Sequence, residues 1–179
     1  MSSKIILNSN QLDILTNRLV CQLIENHNDF SNTVLIGLQP RGVYFLNKII
    51  SLLKNKYNCK NISYGLLDIT FFRDDFRRND KPLNPNISDI NVKIESKSVV
   101  LIDDVLYTGR SIRAALTAIE TYGRPKLIEL LILIDRRFSR ELPIQPNYIG
   151  LEVDSIQNNR VIVNWKENEN EDSVYLINN

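Results

Sequence analysis

The chain has 179 residues, of which 43% are hydrophobic, and its formal net charge is +1. This length and composition predict one compact domain over residues 1–179, and a charge this close to zero gives no overall electrostatic attraction to nucleic acid. Two cysteines and one histidine exclude a disulfide framework and most zinc sites, and the lack of a long apolar run predicts a cytoplasmic protein with no membrane partner.

The first predicted element is a helix near the N-terminus. Its leucines recur at spacings of three and four residues, so they form one buried stripe along a helix. The stripe consists of Leu12, Leu15, Leu19 and Leu23. Asn8, Ser9 or Asn10 could cap the start of this helix, because each side chain can accept a hydrogen bond from a free backbone amide.

Apolar and β-branched runs predict four strands of one sheet. The runs are TVLIG (33–37), ISYGLLDITFF (62–72), KSVVLID (97–103) and LIELLILID (127–135). A helix is predicted after the first run, in VYFLNKIISLLKNKY, and another after the third, in SIRAALTAIETYG. Strands that alternate with helices favour an α/β fold with a mostly parallel sheet, whose ligands bind at the carboxyl ends of the strands.

Two segments have no helical or strand period. The polar stretch 73–92 is rich in proline and asparagine, and it is predicted to be a long mobile loop. The stretch 136–155 contains two prolines and is left without a predicted element. The final runs RVIVNW (160–165) and SVYLIN (173–178) are predicted to be terminal strands.

The segment VVLIDDVLYTGRS joins the third predicted strand to a helix and carries the main chemical signal. Free amides at the helix start, the hydroxyls of Thr108 and Ser111, and the flexible Gly109 predict a phosphate site. Asp103 and Asp104 would repel that phosphate, so we expect them nearby as acceptors for vicinal hydroxyls or beside a magnesium-bound ligand. A phosphate at one end and a diol at the other describe a ribose 5-phosphate.

This segment resembles the phosphoribosyl pyrophosphate (PRPP) signature of type I phosphoribosyltransferases. The blocks DITFFRDD, DDVLYTGRSIRAAL, GRP, RELPI and NYIG, in this order, resemble the PyrR family of pyrimidine operon regulators that are also uracil phosphoribosyltransferases. The resemblance runs over nearly the whole chain. It implies the type I phosphoribosyltransferase fold with a small hood, in a single domain.

The resemblance implies two activities. One is the conversion of uracil and PRPP to uridine monophosphate (UMP) and pyrophosphate, with magnesium as the cofactor. The other is UMP-responsive binding to the leader RNA of pyrimidine genes, which would attenuate their transcription. It also implies a homo-oligomer, a dimer or larger.

The resemblance transfers residue by residue onto this chain. The substrate site that it implies consists of Pro40, Arg41, Asp103, Asp104, Val105, Leu106, Tyr107, Thr108, Gly109, Arg110, Ser111 and Arg136. The residues expected to act in catalysis are Arg41, Asp104 and Arg73. Magnesium would be held chiefly by PRPP oxygens and water, with Asp135 as a weak protein contact.

The turn GLQPRG corresponds to the family's pyrophosphate loop. The forked guanidinium of Arg41, beside Gly42 at a helix start, suits phosphate oxygens. The chain departs from the better-known PyrR proteins at Gln39 and Pro40, where they have a Lys-Thr pair, and proline offers no amide hydrogen. An ordinary helix-starting turn is the alternative for this segment.

The stretch 73–92 resembles the flexible loop that closes over PRPP and excludes water. Arg73 and Arg77 are candidates to reach the pyrophosphate from this loop. The alternative is pairing inside the loop with the neighbouring acids Asp74, Asp75 and Asp80.

Residues 135–160 correspond to the family's hood, which covers the base. Here RRFSRELPI stands where the classical regulators have a shorter Arg-Gly-His run before RELPI. The altered hood keeps open a phosphoribosyltransferase for another base, a purine or orotate, without a role in RNA binding. For RNA binding the candidate residues are Arg18, Arg137, Arg140 and Arg160.

Two other interpretations of Asp103 and Asp104 stay open from the residues themselves. They could be a loop acid followed by a helix cap. They could also be the magnesium-binding acid pair of a nucleotidyl transferase, which would need a third acid close by and would leave TGRS unexplained. A P-loop is excluded, because the chain has no GK[ST] triplet.

Overall fold

A computed structural model describes residues 2–74, 85–155 and 159–178. The helices and strands in these ranges are, in chain order, β1 (Ser2–Leu7), α1 (Ser9–His27), β2 (Thr33–Leu38), α2 (Gly42–Asn55), β3 (Ser63–Leu67), a 3-10 turn (Thr70–Phe72), β4 (Ser98–Leu106), α3 (Arg110–Ile119), β5 (Leu127–Arg137), β6 (Tyr148–Asp154), β7 (Asn159–Asn164), α4 (Lys166–Glu169) and β8 (Ser173–Asn178). Within these ranges, no helix combines the length and the apolar character that crossing a bilayer requires.

Five parallel strands form the central sheet in the order β3-β2-β4-β5-β6. Alternate residues of β4 point to opposite faces of this sheet. Val100 and Ile102 belong to the core shared with α1 and α2, whereas Val99 and Leu101 belong to the core shared with α3. Helices therefore cover both faces, which explains why the central strands are continuous apolar runs. The predicted α/β class is confirmed.

The first helix begins as its sequence predicts. Of the three candidate caps, Asn8 is the N-cap: its side chain accepts a hydrogen bond from the Gln11 amide, and the Gln11 side chain accepts one from the Asn8 amide, both at 3.0 Å. The leucine stripe faces the core, with Leu12, Leu19 and Leu23 fully buried.

Two predicted strands have different ends in the structure. The second predicted run is a strand only as far as Leu67, because Asp68 bonds the backbone of the following residues and the chain turns into the 3-10 segment Thr70–Phe72. The third run continues as β4 beyond Asp103 to Leu106, because β5 pairs with it over this stretch, including Val105 and Leu106.

The strand β6 was not predicted. It lies at the edge of the central sheet and pairs with β5 alone. Its buried residues alternate with more exposed ones, and Gly150 and a preceding proline interrupt the apolar pattern. The glycine is required here, since a Cβ at Gly150 would lie 2.3 Å from the Leu133 carbonyl oxygen. Pairing with β5 stabilises a strand that its own sequence indicates only weakly.

The hood is a three-stranded antiparallel sheet in the order β1-β8-β7. It confirms the two predicted terminal strands and adds β1, which the sequence did not indicate because its partner lies at the other end of the chain. The hood therefore differs from the predicted range 135–160. Among the described residues of that range, 135–137 and 148–154 belong to the central sheet and 159–160 belong to the hood.

Candidate active site

The strand β4 brings both predicted acids to the place where the sheet meets α3. Because successive residues of a strand point to opposite faces, the two side chains have different surroundings. Asp104 is 6% exposed, and its Oδ2 accepts a hydrogen bond from Arg41 Nε at 3.1 Å. Asp103 Oδ1 accepts a hydrogen bond from the Asp104 amide at 3.0 Å.

The chain between β4 and α3 turns at Gly109, which has a φ of 91° and is the N-cap residue of α3. A Cβ at this position would lie 3.2 Å from Ile144 Cδ1, so both the backbone and the space favour glycine. The Arg113 amide donates to the Gly109 carbonyl at 3.0 Å and starts the helix. The amides just before Arg113 have no partner inside the helix and are suited to an anion.

Two cavities meet beside this turn and have four residues in common. The shared residues are Arg73, Asp103, Val105 and Ser111. The first cavity has a volume of about 310 Å³ and is lined also by Leu106, Tyr107, Thr108, Gly109, Arg110, Ile112 and Glu141. The second has a volume of about 400 Å³ and is lined also by Leu38, Gln39, Pro40, Arg41, Ile69, Thr70, Asn86 and Asp104.

The structure describes all of the predicted substrate residues. Each of them lines one or both of these cavities, except Arg136. The first cavity surrounds the amides and hydroxyls of the turn Thr108–Ser111, which is called the phosphate turn after its predicted ligand. The second opens toward the Gln39–Arg41 turn, where the Gln39–Pro40 peptide bond is cis. A larger groove, of about 670 Å³, lies between α1 and α2 and shares no residue with these two cavities.

Both acids carry raised pKa values. Burial and the neighbouring Asp104 carboxylate raise the pKa of Asp103 well above its ordinary value. Burial raises the pKa of Asp104 as well, although the Arg41 guanidinium opposes that shift. Two adjacent carboxylates shielded from water in this way would be stabilised by a ligand that brings hydroxyl donors or a cation.

Arg41 links the acids to the hood. Its guanidinium donates to Asp104, donates to the Val163 carbonyl oxygen, and lies 4.0 Å from Glu169 Oε1. The side chain stays 42% exposed at the edge of the second cavity. A bond to a site acid favours a functional role over an ordinary helix-starting turn.

The described start of the predicted loop points into the cavities. Arg73 Nη1 donates to Ser111 Oγ at 3.3 Å. Asp74 pairs with Arg110 and with Arg113, whose Nη2 lies 3.1 Å away, so this acid bonds to α3. Arg77, Asp75 and Asp80 lie outside the described residues. Arg110 also pairs with Glu141 at 2.6 Å, and both acids raise its pKa.

The returning part of the predicted loop 73–92 is bonded to β3. The Leu66 and Asp89 backbones exchange two hydrogen bonds, at 2.9 and 2.8 Å, which attach this part to β3. The Gln39 side chain donates to the Ile87 carbonyl oxygen at 2.8 Å. Gln39 thus joins the Gln39–Arg41 turn to the returning segment.

Arg136 and Asp135 support the wall of the site. Arg136 is buried, donates to Ser155 Oγ at 2.9 Å and to the Asn159 carbonyl oxygen at 2.6 Å, and lies 4.0 Å from the centre of the Tyr107 ring. Burial lowers the pKa of Arg136. Asp135 pairs with Arg140, which also donates to the Tyr107 carbonyl oxygen at 2.5 Å. These contacts occupy Arg136 with protein partners and place it behind Tyr107.

The predicted magnesium contact fits Asp103 better than Asp135. Magnesium prefers oxygen ligands and keeps several waters, so one carboxylate beside bound phosphates is enough. The Asp103 carboxylate lines both cavities, whereas Asp135 is neutralised by Arg140. Within residues 2–74, 85–155 and 159–178, no group of three or more histidine, cysteine, aspartate or glutamate side chains could hold a metal unaided.

The four arginines predicted for RNA binding have different surroundings. Arg18 donates to the carbonyl oxygens of Ile149 and Gly150 on β6, at 2.9 and 2.5 Å. Arg137 donates to both carboxylate oxygens of Asp154, at 2.5 and 2.8 Å. Arg140 is held by Asp135 as described, and Arg160 is exposed on β7.

Three residues at or near the second cavity carry no functional prediction from the sequence. Asp68, Thr70 and Asn86 lie at the two ends of the predicted loop, and Thr70 and Asn86 line this cavity. The block DIT carries two of them and was read as part of a strand. An acid directly after an apolar run and two residues before a threonine is a recognisable turn signal.

A family comparison assigns the class of protein. The family model described as "Phosphoribosyl transferase domain" matches residues 2–168. The chain therefore belongs to the phosphoribosyl transferase domain family.

Curated relatives narrow this assignment. Proteins named "Bifunctional protein PyrR" from Microcystis aeruginosa and Elusimicrobium minutum are 40% and 36% identical to the chain. The matches cover 96% of the chain and 96% of the M. aeruginosa protein, and 97% of the chain and 96% of the E. minutum protein. Within the phosphoribosyl transferases, the chain belongs to the PyrR family.

Solved structures show the same fold. A hypoxanthine-guanine phosphoribosyltransferase from Bacillus anthracis superposes with a TM-score of 0.72 at 15% identity, covering 99% of this chain and 100% of that chain. A hypoxanthine phosphoribosyltransferase from Staphylococcus aureus superposes with a TM-score of 0.67 at 19% identity, covering 89% of this chain and 81% of that chain. At these identities the likeness shows the type I phosphoribosyltransferase fold and says nothing of the base.

Proposed function

We propose that this protein is a uracil phosphoribosyltransferase that converts uracil and PRPP to UMP and pyrophosphate. The observation that carries the proposal is the pair of cavities that share Asp103 and Ser111. One cavity offers the amides of a helix N-terminus to the 5-phosphate. The other offers Arg41 and Arg73 to the pyrophosphate, and Asp103 lines both cavities while Asp104 lines the second.

Catalysis in this site rests on positioning and electrostatics. In the transfer, the bond from the ribose C1 atom to pyrophosphate breaks and a bond from C1 to a uracil nitrogen forms, while the ring carries positive, oxocarbenium-like charge. Arg41 and Arg73 stabilise the negative charge that develops on the leaving pyrophosphate. Asp103 and Asp104 accept hydrogen bonds from the ribose hydroxyls, and their charge stabilises the ring.

Magnesium completes the charge balance of this site. When it is bound with PRPP, it supplies positive charge to the pyrophosphate oxygens. Asp103 is the protein residue placed to contact it directly or through water.

Uracil is favoured over a purine by family membership. The PyrR relatives align over nearly the full chain at 36% to 40% identity, whereas the purine enzymes share only the fold at 15% to 19% identity. Tyr107 lines the first cavity, and Arg136 lies behind its ring and donates to Asn159 of the hood.

The enzyme activity is tested with labelled uracil, PRPP and magnesium. We expect UMP to form in proportion to the protein concentration. Adenine, guanine, hypoxanthine and orotate serve as competitors and as substitute substrates. Turnover of one of these bases instead of uracil would refute the uracil assignment, and no nucleotide product with any base would refute the enzyme itself.

A second role in RNA binding is proposed from the relatives' shared name, which describes the PyrR proteins as bifunctional. The protein would bind the leader RNA of pyrimidine genes, with the phosphoribosyl site sensing UMP. The four arginines named above are its candidate contacts. A mobility-shift titration with that RNA should show tighter binding in the presence of UMP; binding that ignores UMP would exclude the sensing role.

The assembly is proposed to be a dimer or a larger homo-oligomer, as the family resemblance implies. Sedimentation velocity at several protein concentrations measures it directly. A monomer at all concentrations would refute this proposal.

A further inference from the structure

Asp68 joins the two ends of the segment that flanks the second cavity. Its carboxylate is buried, with the residue 7% exposed. Oδ1 accepts hydrogen bonds from the Thr70 amide at 3.1 Å and from the Thr70 hydroxyl at 2.6 Å. Oδ2 accepts a hydrogen bond from the Asn86 amide at 3.0 Å. One side chain thus holds the chain as it leaves β3 and again as it returns.

Both of these ends contribute residues to the second cavity. The 3-10 turn Thr70–Phe72 is followed directly by Arg73, whose guanidinium donates to Ser111 Oγ at the start of α3. On the returning side, Asn86 lines the cavity together with Arg73. The positions of Arg73 and Asn86 therefore depend on the same carboxylate.

The acid is needed because three donors converge on it. A carboxylate accepts at both oxygens, and a backbone amide donates to each of them, whereas an asparagine side chain offers one acceptor and would turn its NH₂ group toward one of these two amides. An unmatched donor at a buried site is costly. Replacing Asp68 by asparagine therefore releases one of the two ends.

Other bonds keep the returning segment in place without this carboxylate. The Leu66 and Asp89 backbones pair with each other, and the Gln39 side chain bonds the Ile87 carbonyl oxygen. The Asp68 amide donates to Ser88 Oγ at 2.9 Å, a bond that no substitution of the Asp68 side chain removes. Loss of the carboxylate should thus disturb the cavity more than the fold.

We propose that Asp68 is a positioning residue for the PRPP side of the reaction. It holds Arg73 and Asn86 at the second cavity, where the pyrophosphate is proposed to bind, and other residues recognise the base. This inference rests on the phosphoribosyl transfer proposed above.

The test compares Asp68→Asn with Asp89→Asn. The control makes the same chemical change on the same segment, at an exposed side chain that lines neither cavity. We expect Asp68→Asn to lower kcat/KM for PRPP by about ten- to a hundred-fold, because a small misplacement of a positioning group has effects of this size. The KM for uracil should stay within about twofold of the wild-type value, since the substitution leaves the residues that bind the base unchanged.

Two further measurements separate positioning from a general loss of structure. Calorimetric titration with PRPP and magnesium, without any base, should show weaker binding to Asp68→Asn. In a double-mutant cycle, adding Asp68→Asn to Arg73→Ala should lower kcat/KM for PRPP much less than Asp68→Asn does alone. The reason is that Asp68 acts largely by positioning the Arg73 guanidinium, which Arg73→Ala has already removed.

Three results would overturn the inference. They are unchanged PRPP binding in a folded Asp68→Asn protein, equal losses for PRPP and uracil, and full additivity with Arg73→Ala. If Asp68→Asn fails to fold, Thr70→Val removes one donor to the same carboxylate and Thr70→Ser restores it. A PRPP defect in the valine variant that serine does not rescue, or no defect at all, would overturn the inference as well.

The calorimetry also separates this inference from the proposed function. If the wild-type protein binds PRPP but transfers it to no base, the enzyme proposal fails while the role of Asp68 is still measured by PRPP binding.

Discussion

The substitution Asp104→Asn tests whether the acid pair binds the ribose hydroxyls. Asparagine has nearly the same shape and keeps one acceptor oxygen, but it loses the charge that faces Arg41 at 3.1 Å. Hydrogen bonds to a charged group contribute about 1.5–3 kcal/mol, and about 1.4 kcal/mol corresponds to a factor of ten. We therefore expect kcat/KM for PRPP to fall by about ten- to 150-fold.

The effect on stability should be small. Arg41 is 42% exposed, so its attraction to Asp104 is weakened by solvent, and the raised pKa of Asp104 shows that burial already disfavours its charge. The free energy of unfolding should change by less than about 1 kcal/mol.

The assay is steady-state kinetics with varied PRPP, together with urea unfolding of the same preparations. Asp29→Asn is the matched control, because this acid is exposed and bonds only the nearby Ser31 amide, at 3.0 Å, in the described contacts. Wild-type kinetics in Asp104→Asn would refute the diol role. A loss of stability that fully accounts for the lost activity would show that the acid acts only in the fold.

Three further predictions follow from single contacts. Arg41→Ala should lower kcat by about a hundredfold, because it removes one group that stabilises the leaving pyrophosphate; normal turnover per folded molecule would contradict this role. Gly109→Ala should lower the free energy of unfolding by more than about 1 kcal/mol, because alanine is strained at a φ of 91° and its Cβ would lie 3.2 Å from Ile144 Cδ1; the urea midpoint measures it, and an unchanged midpoint would show that the turn relaxes. Burial lowers the pKa of His27 below 6.5, although Glu129 opposes the shift, so the folded protein favours the neutral ring. The contribution of His27 to the free energy of unfolding should therefore be fully present above about pH 6.5 and should be lost as the pH falls below that value. His27→Gln should flatten this part of the pH profile in urea titrations, and a profile identical to that of the wild type would refute the assignment.

The local parts of the site were predictable from short stretches of sequence. The phosphate turn needs a buried strand, a glycine able to adopt a positive φ, and a helix start, and these occur within a few residues of one another at Val99–Ser111. Hydroxyls and acids in the same run predict a ribose phosphate as the ligand, because their spacing is set by one strand and one turn. The helix cap at Asn8 is local for the same reason.

Tertiary structure decided which distant groups meet this segment. The sequence contains no signal that Arg41 contacts Asp104 or that Val163 of the hood holds the same guanidinium. The strands β1 and β6 form because β8 and β5 offer them backbone partners, and their own patterns are too short or too interrupted to indicate a strand. Asp68 binds Asn86 across a segment whose composition indicated only a loop. A strand, a turn and a cap depend on neighbouring residues, whereas these contacts depend on where the sheet brings remote parts of the chain together.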